Sequence, residues 1–308
     1  MALLNYLTLQ DREDFLGSNF FVKMGGFILA KANNAQIYRN LNMKYKESIF
    51  SLPFIHNSIE KKEKPKNGRD TSSDPIYAGM DLRTRQAIPV TLLKCDLISH
   101  YRNNFKNEHF KLIKEEAIKR DFTLPWKDNS KIICIHLRLD DQRNHSGLTI
   151  QGTKHGDYDG RPASDYLSNL IHTDTVLKFN KTEMCKIGWD KQVMISEDKL
   201  IKLINELKSK YPDKEIHIVS YFKNNVIPLD WLKDIIKKYN ITTHTNKDPD
   251  IDLWLLINSS VLVLSKSTYS LMAGFYHQGT EVYYPIWATF TAAGLNTNYD
   301  KSGWISYV

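Results

Sequence analysis

An imidazole and a guanidinium stand two residues apart in the run Ile132-Ile-Cys-Ile-His-Leu-Arg-Leu-Asp-Asp141, as His136 and Arg138. Four apolar residues lead into them and two carboxylates, Asp140 and Asp141, follow. On a strand, side chains alternate, so His136 and Arg138 share one face and Leu137 takes the other. The pattern reads as the carboxyl end of a parallel strand in an open α/β sheet, the place where such sheets hold ligands. The competing reading is an edge strand with solvated charges.

A second stretch points the same way. In Val261-Leu-Val-Leu-Ser-Lys-Ser-Thr-Tyr-Ser-Leu-Met-Ala-Gly-Phe275 a strand pattern runs into hydroxyl residues and then a helix pattern. Hydroxyls and backbone N–H groups at a helix N-terminus suit a phosphate, and a same-side arginine adds a charge clamp. Ordinary Ser/Thr N-capping explains the same residues. Taken with His136 and Arg138, the turn from Ser265 to Ser270, with Ser267, Thr268, Tyr269 and Ser270 leading into the helix, is read as holding a diphosphate. Ser220 and Tyr221 end a further strand pattern on the same side. Gly25-Gly26 reads as a glycine turn feeding a helix whose N-terminus receives phosphate.

These residues need a frame to bring them together. Lys199 to Leu207 has the periodicity of an amphipathic helix, with Leu200, Ile201, Leu203, Ile204 and Leu207 inward. Residues 91–121 and 228–239 also read as helical. Strand patterns at 132–139, 215–222, 241–245, 261–265 and 281–285 alternate with helices, which implies a parallel, doubly wound sheet. Residues 57–75 read as a surface loop. The turn-rich connector Thr123 to Ser130 marks a domain boundary, dividing the chain into 1–128 and 129–308.

Composition bounds the partners. With 308 residues, 42% hydrophobic and 25% charged, the chain can bury a sizeable core in two domains. The net charge of +7 and pI near 9.0 favour anionic partners. The lysines are spread among acids and no nucleic-acid-binding signature occurs, so nucleic acid is not expected. The three cysteines, Cys95, Cys134 and Cys185, form no CxxC and read as reduced thiols in a cytosolic chain. No apolar run reaches membrane-span length and the N-terminus lacks a basic leader, so the expectation is a cytoplasmic protein that is not secreted. The Asn-x-Ser/Thr triplets at Asn144, Asn180, Asn240 and Asn258 read as chance.

The motif His136-Leu-Arg-Leu-Asp-Asp141 resembles the His-x-Arg-x-x-Asp signature of the α-fucosyltransferase superfamily, the α-1,2, α-1,6 and protein O-fucosyltransferases. Asp252 to Tyr284 is similar to the downstream motif of the α-1,2 branch: an acid opening a helix, a strand, a Ser/Thr-aromatic-Ser turn, a small-residue helix and a Gly-x-x-Val-Tyr strand. Residues Gly25 to Tyr38 loosely resemble the family's N-terminal glycine loop. The arginine doublet and glycine usual after His-x-Arg are absent here. The resemblance implies a GT-B fold, two Rossmann-like domains facing a cleft, with the nucleotide held by the C-terminal one. It also implies a metal-independent, inverting transfer from a nucleotide sugar, GDP-fucose, to an oligosaccharide or glycoprotein acceptor. Because the motif is incomplete, a UDP-sugar such as UDP-xylose is the second choice. By motif, Arg138 contacts the diphosphate, His136 lies against nucleotide or sugar, Asp252 accepts hydrogen bonds from the base, and Ser267 to Ser270 hold phosphate. The missing membrane span and leader point to a bacterial or viral enzyme acting in the cytoplasm.

An inverting transfer needs a base near the acceptor hydroxyl. Asp141 is the first choice, because its position after the strand aims it at the cleft mouth, while Asp140 shares the face of Arg138. Asp157 follows, with Asp159 and His155 in the same Gly-rich loop, and Asp81 in the other domain is a further option. A metal-binding pair in Asp248-Pro-Asp250-Ile-Asp252 is disfavoured: it leads into a helix that acids would cap. His145, His155 and His172 lack metal-ligand spacing. A non-catalytic sugar-nucleotide or polyanion binder would keep Arg138 and the hydroxyl turn but lack a base. An oxidoreductase is disfavoured because no G-x-G-x-x-G follows a strand.

Overall fold

The computed structural model describes residues 6–9, 16–32, 34, 36–39, 45–60, 69–70, 101, 103–139, 195–221, 227, 229–245, 248–285 and 303–307. The chain divides into two compact units, one spanning Met1–Phe122 and one beginning at Thr123.

The first unit carries strands β1 (Tyr6–Leu9), β2 (Gln36–Arg39), β3 (Ile59–Glu60) and β4 (Arg69–Asp70), with helices α1 (Leu16–Ala32), α2 (Leu52–His56) and α3 (Lys106–Lys119). The sheet runs β3-β2-β1-β4 and every pairing is parallel. Gly25 and Gly26, expected as a turn, lie inside α1 and are buried. Leu16, Phe20, Phe21, Met24, Phe27 and Ile28 recur every three or four residues straight across the pair, and all are buried. Each interior glycine costs about 1 kcal/mol of helix propensity, while burying one large apolar side chain returns about 1.5–3 kcal/mol. The packing therefore wins. Phe27 meets Phe105 and His109 edge-on, each at 4.9 Å, and Tyr101 bonds to His109 Nδ1 at 2.7 Å. Burial, then the charge of Lys31, pushes His109 down to about 4, so it sits in this core as a neutral ring.

The second unit holds β5 (Ile132–His136), α4 (Glu197–Lys210), β6 (Glu215–Val219), α5 (Asp230–Tyr239), β7 (Thr242–His244), α6 (Pro249–Ile257), β8 (Val261–Val263), α7 (Thr268–Tyr276), β9 (Glu281–Pro285) and β10 (Ile305–Tyr307). The expected alternation of strands and helices is present. The sheet order is β10-β9-β8-β5-β6-β7, and all pairings are parallel. Counted from β5, that is the doubly wound order 3-2-1-4-5-6, which reverses direction between β5 and β8.

One face of this sheet packs Ile133, Ile135, Ile216, Ile218, Val261 and Val263 against Leu200, Leu203, Ile204 and Leu207 of α4 and Leu232 and Ile235 of α5. On the other face, Cys134 directs its thiol at the carbonyl of Leu255 in α6. Every residue of α6 from Asp252 to Ile257 is buried, as expected of a helix apolar all round. Asn240 ends α5 in the left-handed region at φ 51°, a conformation asparagine tolerates better than most residues.

Gly279 sits between α7 and β9, where a Cβ would fall 2.1 Å from the carbonyl oxygen of Ser260 and 2.4 Å from that of Ser259. The Ser260 carbonyl already accepts the Thr280 N–H at 2.7 Å, so the backbone there has no slack. Gly279→Ala is expected to lower stability by at least ~2 kcal/mol, read as a fall in the urea midpoint with unchanged slope. An unchanged midpoint would show that the turn tolerates a side chain.

Candidate active site

β5 delivers His136 to the carboxyl edge of the sheet. Ile133, Ile135, Leu137 and Leu139 all join the α4/α5 core, so alternation sends His136 and Arg138 to the opposite face. His136 is buried and its Nδ1 lies 2.7 Å from Oγ of Ser265, just past the end of β8. Its ring tilts against Tyr269 with centroids 5.4 Å apart. Arg138 is half-buried. Sequence reasoning sets Ser265 to Ser270 on the same side of the sheet as His136, but does not pair Ser265 with His136. The contact with His136 depends on the pairing of β5 with β8, which no local pattern announces.

The turn into α7 is built by its own serines. Ser267 is buried at the N-cap and its hydroxyl accepts the N–H of Tyr269 at 3.2 Å. The buried hydroxyl of Ser270 points back at the carbonyls of Ser265 and Ser267, at 2.9 and 3.0 Å. Both hydroxyls thus hold the turn in shape. Thr268 and Lys266 are half-buried beside them. Lys266 brings a cation to this turn that the sequence reading did not single out.

The N-terminus of α6 completes the edge. Asp248 caps it and accepts the N–H of Asp250 at 2.8 Å, so Asp248-Pro-Asp250 opens a helix as the sequence reading favoured. Asp250 and Asp252 are buried in the first turn, where the helix dipole favours negative charge. The Tyr269 hydroxyl donates to the carbonyl of Pro249, which ties the start of α7 to the start of α6. Burial, then the charges of Asp252, Asp250 and Asp248, holds that hydroxyl well above its usual range, so it stays a donor at any ordinary pH.

Ser220 is buried at the end of β6 and its hydroxyl donates to the carbonyl of Leu137 at 2.6 Å. It thereby fixes the backbone between His136 and Arg138. Tyr221, next along, is 56% exposed. Four of the predicted positions therefore meet at one edge: His136 and Tyr269 by direct contact, Ser220 and Arg138 through the backbone of Leu137. Asp252 reaches them through Tyr269. Gly25 and Gly26, in the interior of α1, offer no helix N-terminus. Asp81, Asp140, Asp141, Asp157, Asp159, His145, His155 and His172 lie outside the described residues.

No family model and no curated protein matches the chain. Among solved structures it is similar to POFUT1 in complex with GDP-fucose, at 11% identity over 92% of this chain and 98% of that one, with a TM-score of 0.44. POFUT1 in complex with GDP matches at 12% identity over 91% and 97%, TM-score 0.42. The fucosyltransferase NodZ from Bradyrhizobium matches at 10% identity over 88% and 91%, TM-score 0.39.

Ser267→Ala is expected to cost about 1 kcal/mol in chemical denaturation and Ser267→Gly only a few tenths, because the hydroxyl acts as an N-cap. Equal and negligible losses in the two variants would show that the cap is not what holds the turn.

Proposed function

We propose that the chain is an inverting glycosyltransferase that moves a sugar from a nucleoside diphosphate to a hydroxyl of a glycan acceptor without a metal, with GDP-fucose as donor. The reading rests on one observation above the others. The His-x-Arg motif stands at the point where the strand order reverses, beside the N-termini of two helices. Open α/β sheets bind ligands outside the carboxyl ends of their strands at such a point, and helix N-termini favour anions there.

In this reading Arg138 meets the diphosphate, His136 is held by Ser265 and Tyr269 against nucleotide or sugar, and Asp252 accepts hydrogen bonds from the base. The acceptor hydroxyl gives its proton to a carboxylate, Asp141 first and Asp157 next. Its oxygen then bonds to the anomeric carbon on the face opposite the leaving group. The carbon–oxygen bond to the diphosphate breaks, and the pair of electrons leaves with the nucleoside diphosphate. Arg138 and the backbone amides of the α7 turn stabilise the charge that develops, which needs no metal if the donors are preorganised. The acceptor belongs to the first unit, and the reaction takes place in the cytoplasm. Among the described residues no helix is long and apolar enough to cross a membrane.

Arg138→Ala removes a charge-assisted contact of about 1.5–3 kcal/mol and is expected to weaken GDP binding at least about tenfold in isothermal titration. Unchanged affinity would overturn the donor assignment. A thermal-shift screen should favour GDP over UDP, and the reverse order would replace the fucosyl donor with a UDP-sugar such as UDP-xylose. Asp141→Asn should cut turnover by about two to four orders of magnitude while nucleotide affinity holds. Near-wild-type turnover would move the base to Asp157 or to the first unit.

A further inference from the structure

Two histidines on the far side of Ser220 form a unit that the proposed reaction does not use. His217 on β6 is buried and its Nδ1 lies 2.8 Å from Nε2 of the half-buried His244 on β7. The rings are almost parallel, 5° apart, with centroids at 5.1 Å. Trp126 covers both edge-on at 5.1 and 5.9 Å and is anchored by its own N–H to Asn129 Oδ1 at 2.9 Å.

The second nitrogen of His217 decides the tautomer. His217 Nε2 is buried without a hydrogen-bond partner and lies 3.5 Å from the Glu215 carboxylate. A bare lone pair facing a carboxylate is unfavourable, whereas an N–H facing it is favourable. His217 therefore carries its proton on Nε2, and Nδ1 accepts the N–H of His244 Nε2. A further proton on the free Nδ1 of His244 leaves this bond in place, whereas a proton on His217 Nδ1 puts two N–H donors face to face at 2.8 Å, and the bond is lost.

The groups around the pair favour its neutral state. Burial lowers the pKa of His217, with Glu215 opposing it more weakly. Burial and then the His217 charge push His244 down to about 4. From β5, Cys134 pairs in register with His217, and burial pushes its thiol up to about 12, so it adds no charge. The acids of α6 act on Tyr269.

From this pair a short path leads to the site. The backbone carbonyl of His244 accepts the N–H of Ser220 at 3.1 Å. The Ser220 hydroxyl donates to the carbonyl of Leu137, between His136 and Arg138. The Leu137 N–H in turn donates to Val219 at 3.0 Å. We propose that His217 and His244 are positioning residues for His136 and Arg138, acting through Ser220 and only while His217 Nδ1 is free to accept the N–H of His244. Losing their bond shifts β7 at His244, releases Ser220 and loosens the Leu137 carbonyl. Because the fold lowers the pKa of both rings, the bond is intact at neutral pH and is lost only as pH falls through the lowered midpoint of His217.

The test is an NMR titration from about pH 7.5 to about 3.5 that follows the imidazole resonances and the amides of Leu137, Arg138 and Ser220. In the wild-type protein these amides should move with the His217 midpoint. In the double variant His217→Asn, His244→Gln, the side-chain amide introduced on β7 donates its N–H to the side-chain oxygen introduced on β6. The bond then survives without a titrating group, and the three backbone amides should stay still. His244→Gln alone is a second variant, because its side-chain amide can turn its oxygen to a protonated His217. Backbone amides that do not follow the imidazoles in the wild type, or that titrate alike in all three proteins, overturn the proposal. A GDP titration rests on the donor reading: one pH unit below the midpoint, wild-type affinity should be about tenfold weaker relative to the double variant. Absence of GDP binding to all three proteins at every pH would count against the donor reading, while the amide titration still decides the role of the pair.

Discussion

Everything at the carboxyl edge of the second sheet depends on β5 and β8 being neighbours, although 129 positions separate His136 from Ser265. The order 3-2-1-4-5-6 puts the first strand of the unit in the middle, so the segments after β5 and β8 leave to opposite sides and a crevice opens between them. A central parallel strand is buried on both faces and must be apolar on both. That is why Ile132 to Ile135 carry no polar side chain and why the first one, His136, comes only at the edge. The abrupt change from isoleucine to histidine in the sequence is the sheet boundary seen from the chain.

Much of the polar richness at that edge serves the backbone. Ser220, Ser267 and Ser270 are buried, and each hydroxyl is engaged with a backbone group. A hydroxyl spent in this way keeps a turn from relaxing, since an unpaired buried backbone group would cost about 1–3 kcal/mol. The stretch Ser-Lys-Ser-Thr-Tyr-Ser looked like a set of phosphate ligands because hydroxyls serve both purposes. In the structure Ser267 and Ser270 hold a scaffold, and charge is carried there by residues of other types: Arg138, Lys266 and the acids of α6.

The alternation of strands and helices in the second unit was legible because each element has a clean period: two through Ile133, Ile135, Leu137 and Leu139, and three to four through Leu200, Leu203, Ile204 and Leu207. The single-face placement of His136 and Arg138 follows from the same period. The glycine pair in α1 misled because Gly-Gly is a strong local signal for a turn, and the apolar residues spanning it are a weaker but longer one. Contacts made by pairing strands were out of reach. Nothing near His217 names His244, and nothing near His136 names Ser265, since both partners arrive by strand order.

Burial treats the titratable groups beneath the edge alike, whatever their type. It raises the Cys134 thiol, the Tyr269 hydroxyl and the Tyr307 hydroxyl, and it lowers His217 and His244. In each case burial is the leading cause and the neutral form is the one favoured at neutral pH. These groups therefore add no buried charge to oppose or neutralise the cations at the rim. An anion approaching the end of β5 meets the charge of Arg138 and the N-terminal dipole of α7, while the N-terminus of α6 already carries Asp248, Asp250 and Asp252. The hydrophobic sheet thus gives His136 and Arg138 their position and also keeps the thiol, phenols and imidazoles beneath them neutral.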